Sequence, residues 1–104
     1  MSGYVLSEDA VLDLDAIWDF IAQDNIAAAD RWTNKLFDTF EAIGQTPGID
    51  HRREDLTNDP VLFFPVGAYL IIYRATGPTV EIVAVTQGAR NIPSFLHRRF
   101  SPEG

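Results

Sequence analysis

The cationic side chains that could act on a phosphate gather in the second half of the sequence: Arg52, Arg53, Arg74, Arg90, His97, Arg98 and Arg99. Metal-independent RNA cleavage needs such cations around the phosphate, together with a general base and a general acid. Glu81 is the only carboxylate in the predicted sheet hairpin, the chain has a single lysine, and its C-terminal segment offers neither Tyr nor Lys to complete a catalytic site. We therefore interpret the arginines as rim charges or partner contacts and predict no catalytic residue. A ribonuclease stays open as the alternative.

Other catalytic and cofactor chemistry lacks its motifs. The two histidines, His51 and His97, have no second histidine three or four residues away, so no metal site is predicted. The sequence has no G-x-S-x-G nucleophile motif, and its glycines are isolated instead of forming a phosphate-binding loop. The absence of cysteine excludes a disulfide framework, a thiol nucleophile and thiolate metal sites. No cofactor is expected.

The charge of the chain is distributed asymmetrically. Its formal net charge is −7, yet residues 1–50 carry ten acids and two bases, whereas residues 51–104 carry five acids and six arginines. Sequence-independent binding to a nucleic-acid backbone requires a basic surface, so we do not expect nucleic-acid binding to be the sole function of this chain. A hydrophobic content of 46% excludes a disordered chain, and 104 residues suit one domain, predicted to span 1–104.

The sequence also lacks membrane and export signals. No apolar run reaches the roughly 18 residues of a membrane span. The N-terminus has no basic region followed by an apolar stretch, which is the pattern typical of a signal peptide. We therefore expect a cytoplasmic protein without a membrane partner.

Two helices are predicted near the N-terminus. Ser7 can cap the first, whose apolar residues recur at three- and four-residue steps to about Ala22: Val11, Leu14, Ile17, Trp18 and Ile21. Its otherwise polar side carries a second line of Leu12, Ala16 and Phe20, so this helix needs two different neighbours. Asp24-Asn25 breaks the pattern, and Asn25 can cap a second helix that ends near Gly44. So short a break predicts an antiparallel helical hairpin.

The rest of the chain is predicted to form a sheet. A short strand over residues 4–6 precedes the helices, and strands over 61–66, 69–75 and 79–87 follow them. Residues 51–60 are interpreted as a loop, and Pro93 is expected to interrupt any helix, leaving 93–104 as a basic tail. The predicted fold class is α+β in the order β-α-α-β-β-β, with the N-terminal strand and helical hairpin packed on a mostly antiparallel β-sheet.

An ordered set of local signatures runs through the chain: Tyr4-x-Leu6-Ser7, Leu14-x-x-Ile17-Trp18-x-Phe20-Ile21, Asp24-Asn25-x-x-Ala28-Ala29-Asp30-Arg31, Pro47-Gly48, Arg53-x-Asp55-Leu56, Phe64-Pro65-Val66-Gly67-x-Tyr69-Leu70-Ile71-x-Tyr73-Arg74 and Glu81-Ile82-Val83-x-Val85-x-x-Gly88-Ala89-Arg90. Together they resemble the ParE branch of the RelE/ParE superfamily, the toxins of type II toxin–antitoxin systems. The resemblance covers about Tyr4 to Leu96 and includes the same order of elements.

The resemblance implies a toxin that inhibits DNA gyrase and is neutralised by a cognate ParD-like antitoxin, with DNA contacted only through the antitoxin or gyrase. The related RelE-like members instead cut messenger RNA on the ribosome, using a Lys- and Arg-rich cleft that a chain of net charge −7 does not reproduce. Gln87 stands where the family usually has His before Gly-Ala-Arg, which removes a titratable group beside Arg90. Ile26 replaces a frequent proline of the interhelical turn.

A non-enzymatic gyrase inhibitor is therefore the main hypothesis. A ribosome-dependent endoribonuclease of the RelE type is the alternative, and a binding domain that has lost toxicity is a third. The expected antitoxin site combines the apolar line Leu12, Ala16 and Phe20, which would receive an amphipathic helix, with Arg74 or Arg90, which would meet an acidic stretch. The residues expected to contact the target are Arg90, His97, Arg98 and Arg99.

Overall fold

The computed structural model describes residues 3–45, 51–52, 61–76, 79–88 and 91–100. Its elements in chain order are β1 (Tyr4–Leu6), α1 (Glu8–Ala22), α2 (Ile26–Gln45), β2 (His51–Arg52), β3 (Leu62–Val66), β4 (Tyr69–Thr76), β5 (Thr79–Gln87) and α3 (Ile92–Phe100). Among these described helices, none is long and apolar enough to cross a membrane.

The strands form one mixed sheet in the order β1-β5-β4-β3-β2. β1 runs parallel to β5, and the other three pairings are antiparallel. The predicted α+β class with a mostly antiparallel sheet is confirmed. Pro65, which cannot donate a ladder hydrogen bond, lies near the end of β3 beyond the two residues that pair with β2.

The predicted helical hairpin is confirmed as well. The Ser7 side chain caps α1 by accepting a hydrogen bond from the Ala10 N–H at 3.0 Å, and the Asn25 side chain caps α2 by accepting one from the Ala28 N–H at 2.9 Å. The hairpin covers one face of the sheet, where its apolar arcs bury a first core: Ala10, Leu14, Leu36, Phe40, Ile43, Val66, Tyr69, Ile71, Tyr73, Val80, Ile82 and Val85.

A third helix covers the opposite face of the sheet, where only a basic tail was expected. α3 buries Ile92, Phe95 and Leu96 in a second core with Phe63 and Ile72. The expectation that Pro93 would interrupt any helix is wrong because Pro93 is the second residue of α3. In the first turn of a helix the N–H that proline lacks has no intrahelical acceptor, so the helix loses nothing. The Asn91 side chain caps this turn, accepting a hydrogen bond from the Ser94 N–H at 3.0 Å.

The predicted loop over residues 51–60 also needs correction at its start. His51 and Arg52 form the short edge strand β2, which pairs with Phe63 and Leu62 of β3. The sequence did not indicate this strand, because two polar residues are too few to show the alternation of apolar and polar residues that is typical of a strand. The remainder of that loop, residues 53–60, lies outside the described residues.

The turn between β3 and β4 requires glycine at position 67. Gly67 has a φ of +59°, in the left-handed region that residues with a Cβ rarely adopt. A Cβ built there would lie 2.5 Å from Cη2 of Trp32. The Trp32 ring in turn packs edge-on against Tyr69, with the ring centroids 5.4 Å apart. This turn therefore fixes how α2 sits on the sheet.

We predict that Gly67→Ala lowers the free energy of unfolding by about 1 to 3 kcal/mol, because it adds left-handed backbone strain to a steric clash with Trp32. Urea denaturation followed by circular dichroism measures this loss. Gly88→Ala is the matched control: a Cβ there would lie at an ordinary contact distance of 3.5 Å from the Ala68 carbonyl oxygen. Equal stability of the two variants would contradict the assignment.

Candidate functional site: the open end of β5 and its flanking helices

The outer side of β5 is only partly covered by a neighbouring strand. β1 pairs with Val80, Glu81 and Ile82, and within the described part of the chain no strand continues this pairing to Gln87. A register shift against β4 adds to the irregularity: Ile72 faces Ala84 while Tyr73 faces Ile82, so Val83 is the extra residue of a bulge. The backbone groups of β5 beyond Ile82 therefore need partners other than a strand.

Ser7 and the side chains of α1 and α3 supply those partners. The Ser7 N–H donates to the Ile82 carbonyl at 3.0 Å, and the Ser7 hydroxyl donates to the Val83 carbonyl at 3.3 Å. The Arg99 guanidinium donates to the same Val83 carbonyl at 3.0 Å. The Asp13 carboxylate accepts the Val85 N–H at 3.0 Å. The unpaired stretch of β5 is thus closed mainly by side chains instead of a strand.

Asp13 and Arg99 also pair with each other across this edge. The two guanidinium NH groups of Arg99 lie 3.1 and 3.3 Å from the two carboxylate oxygens of Asp13, and the side chains are 17% (Arg99) and 18% (Asp13) exposed. Arg99 stacks on Phe95 at 4.8 Å, and Asp9, which is 59% exposed, approaches its Nε at 3.8 Å. This mostly buried pair joins α3 to α1 and to β5.

Sequence reasoning assigned Arg99 to target contact and gave Asp13 no role. The Arg99 side chain is used internally, which leaves Arg98 and the neighbouring His97 as the exposed basic residues of α3. A signal for Asp13 was present in the sequence. On the helical projection it falls beside Ile17 at the edge of the buried arc of α1, where a carboxylate needs a partner.

The predicted apolar line of Leu12, Ala16 and Phe20 is exposed to solvent. Leu12 and Phe20 are 63% and 64% exposed, and Ala16 between them is exposed too. Ala16 and Phe20 border a groove of about 260 Å³ between α1 and the end of β5, which we call the α1–β5 groove. Its lining comprises Asp13, Ala16, Ile17, Phe20, Tyr69, Val85, Thr86 and Gln87. Exposed apolar side chains beside a groove are the usual form of a protein docking surface.

The structure does not bring Arg74 to this line. Tyr73 belongs to the core under the helical hairpin, so Arg74, its neighbour in β4, points to the opposite face of the sheet. There its guanidinium lies over the Phe100 ring at 4.9 Å, in register with Glu81 on β5. Its buried Nε has no hydrogen-bond partner among the described residues. Arg90, the other arginine assigned to the antitoxin, lies outside the described residues.

The described residues include four of the basic side chains expected to contact partners, and these have different surroundings. Arg74 is stacked under α3, Arg99 is paired with Asp13, and His97 and Arg98 lie on the exposed side of α3. Gln87, the position at which the resemblance usually has His, lines the α1–β5 groove. Within the described ranges, no group of three or more His, Asp or Glu residues is arranged to hold a metal ion.

Comparison with known structures defines the class of this fold. The chain superimposes with a TM-score of 0.70 on a solved structure described as "Chromosomal ParDE TA system from P. aeruginosa", with 17% sequence identity, covering 84% of this chain and 96% of that chain. At this identity the likeness is one of fold.

Sequence comparison gives the family. No curated protein sequence matches the chain. The model of the family described as "ParE toxin of type II toxin-antitoxin system, parDE" matches residues 4–92. The chain therefore belongs to the ParE toxin family, and the resemblance seen in the sequence is confirmed.

We predict that Asp13→Ala lowers the free energy of unfolding by about 2 to 4 kcal/mol, because it removes the nearest carboxylate from the Arg99 charge and leaves the Val85 N–H without its acceptor. Asp9→Ala is the matched control on the same helix. Since Asp9 is mostly exposed, its loss is expected to cost less than about 1 kcal/mol. Chemical denaturation measures both values. A cost below that of Asp9→Ala would refute the role of Asp13.

Proposed function

We propose that this chain is a non-enzymatic toxin that inhibits DNA gyrase and is neutralised by a ParD-like antitoxin in the cytoplasm. The observation that carries the proposal is the family match over residues 4–92. Contact with DNA is then indirect, through gyrase or the antitoxin. The acidic surface supports this, because eight carboxylates of the hairpin are exposed: Glu8, Asp9, Asp15, Asp19, Asp24, Asp30, Asp38 and Glu41.

The internal contacts of two arginines support a non-enzymatic mechanism. Cleavage of RNA without a metal requires cations and a proton-transferring pair around one phosphate. In the described residues, Arg74 is stacked on Phe100 and Arg99 is paired with Asp13, so each guanidinium already has an internal contact. Gln87 has no titratable proton to offer. Inhibition by binding needs none of these groups to converge.

For the antitoxin, we propose an amphipathic helix seated on Leu12, Ala16 and Phe20 along the α1–β5 groove. Both large side chains are about two-thirds exposed, so a partner helix would remove substantial apolar area from water. Arg74 lies on the other face of the sheet, so an acidic stretch of the antitoxin would have to pass around the sheet edge to reach it. We therefore propose Arg74 as a secondary contact.

We predict that Leu12→Glu combined with Phe20→Glu weakens antitoxin binding at least about 100-fold. Burial of each side chain is worth roughly 1.5 to 3 kcal/mol, and 100-fold corresponds to about 2.7 kcal/mol. Isothermal titration calorimetry with the cognate antitoxin measures the affinity. Val11→Glu is the control, since it introduces the same charge on the opposite flank of α1. Unchanged affinity of the double variant would sink the assignment.

For the target, we propose that the exposed end of α3 makes contact through His97 and Arg98. The two side chains lie in the last turn of α3, where the helix dipole favours the positive charge of Arg98. Gyrase acts on DNA, and a cationic contact beside an otherwise acidic toxin can meet either an acidic protein surface or the bound DNA.

We predict that the purified chain blocks supercoiling by gyrase or accumulates cleavage complexes, and that Arg98→Glu raises the half-inhibitory concentration at least about tenfold. Such a rise is typical of losing one charged interface contact. Arg31→Glu, at an exposed arginine of α2, is the control. A parallel reaction with translating ribosomes tests the alternative. Ribosome-dependent cuts in messenger RNA, with gyrase unaffected, would overturn the proposal.

A further inference from the structure

A second groove lies on the flank of α1 opposite the α1–β5 groove. It runs between the two hairpin helices, has a volume of about 230 Å³, and we call it the α1–α2 groove. Its walls include Val11, Leu14, Asp15 and Trp18 from α1, and Thr33 and Phe37 from α2. Val11 at its rim is 43% exposed, although α1 has a buried face available for apolar residues.

The size of the α1–α2 groove selects the kind of occupant. Sites for cofactors and metabolites usually enclose about 300 to 1,000 Å³. A groove of about 230 Å³ that is open to solvent accommodates one large apolar side chain. Seating a single aromatic or aliphatic side chain in such a groove is how protein partners anchor an interface.

The polar groups of the α1–α2 groove select the chemistry of that occupant. The carboxylate of Asp15 lines the groove, and Asp30 accepts the indole N–H of Trp18 at 2.9 Å, which brings a second exposed carboxylate to the Trp18 wall. The Thr33 hydroxyl is buried without a hydrogen-bond partner among the described residues. Lys35, a cation of α2, is held over the Trp32 ring at 5.3 Å instead. An apolar groove with an acidic rim is complementary to an apolar side chain flanked by cations.

We propose that the α1–α2 groove is a second docking site, which binds a basic amphipathic helix of a protein partner other than the antitoxin. One large apolar side chain of that helix enters between Val11 and Phe37, and lysines or arginines one turn away meet Asp15 and Asp30. The inference rests on the proposed function only in assigning the antitoxin to the other flank of α1. Because the two grooves lie on opposite flanks, both partners can bind at once.

The test uses an 18-residue helical peptide of leucine and lysine with one phenylalanine, arranged as an apolar stripe flanked by lysines. The chain has two tryptophans, and only Trp18 lines the groove, so the indole N–H signals in an NMR spectrum of the labelled protein distinguish the site. We expect the peptide to shift the Trp18 signal saturably and to leave the Trp32 signal in place. Trp18→Phe assigns the two signals.

Two comparison peptides separate the contributions. One replaces every lysine with glutamate, and the other replaces the apolar stripe with serine. We expect both to bind at least about tenfold more weakly, because the glutamate peptide cannot pair with the acidic rim and the serine peptide has no apolar side chain to place in the groove. Equal binding of the serine peptide would show that only non-specific charge attraction operates and would overturn the proposal.

Matched variants locate the contact on the protein. Val11→Glu is expected to weaken peptide binding at least about tenfold, whereas Leu12→Glu, one residue along the same helix, leaves it unchanged. Asp15→Lys is expected to weaken it as well, and Asp19→Lys, an exposed carboxylate that does not line the groove, serves as its control. Within each pair the two variants make the same change of charge, so we expect similar effects on folding. Circular dichroism checks that both variants of a pair remain folded.

The outcomes also separate this inference from the antitoxin assignment. Peptide binding that falls with Leu12→Glu and not with Val11→Glu would overturn the second site. A weaker affinity of Val11→Glu for the antitoxin would overturn it too, since one partner would then cover both flanks. Light scattering that detects a dimer, in which a second copy of the chain fills the groove, would have the same consequence. Loss of antitoxin binding with Leu12→Glu while the peptide still binds supports both proposals independently.

Discussion

The side chains that close the outer edge of β5 hold the two layers of helix onto the sheet. β5 has nine residues and its outer neighbour β1 has three, so most of that edge depends on hydrogen bonds from elsewhere. The Asp13 carboxylate accepts a hydrogen bond from the Val85 N–H, and the Arg99 guanidinium donates one to the Val83 carbonyl. The two side chains also pair with each other. One network thereby joins α1, β5 and α3, although the two helices lie on opposite faces of the sheet.

This closure decides the shape of the surface around α1. Because Asp13 anchors the helix to β5 and Ser7 fixes its start, α1 stands as a ridge with a groove on each flank. Its first core uses the inner face of the helix and leaves Val11, Leu12 and Phe20 exposed. Of the two apolar faces predicted for α1, the one with Leu14 and Ile17 packs on the first core, although its Val11 is exposed. The line of Leu12, Ala16 and Phe20 has no neighbour within the described part of the chain.

Local pattern was sufficient for most of the fold. The caps at Ser7 and Asn25 and the apolar periods predicted both hairpin helices, and the continuous apolar runs predicted the long strands. α3 was missed because proline was weighed as a breaker, whereas its effect depends on its position in the first turn. The network at β5 was beyond prediction for another reason. It joins residues 86 positions apart and depends on a bulge at Val83 that no local pattern marks.

The hydrogen bonds that close the edge of β5 also affect which charged side chains are exposed to partners. Arg99 is committed to Asp13 and Arg74 to the Phe100 ring, so two of the arginines that sequence alone offered for partners have internal contacts. The exposed surface of the hairpin is left predominantly acidic, and the exposed basic residues of α3, His97 and Arg98, lie outside the hairpin. Each of these two groups of charge is complementary to a surface of the opposite sign. The internal use of Arg99 follows from the three-residue length of β1, which leaves the Val83 carbonyl at the sheet edge for this arginine of α3 to bond.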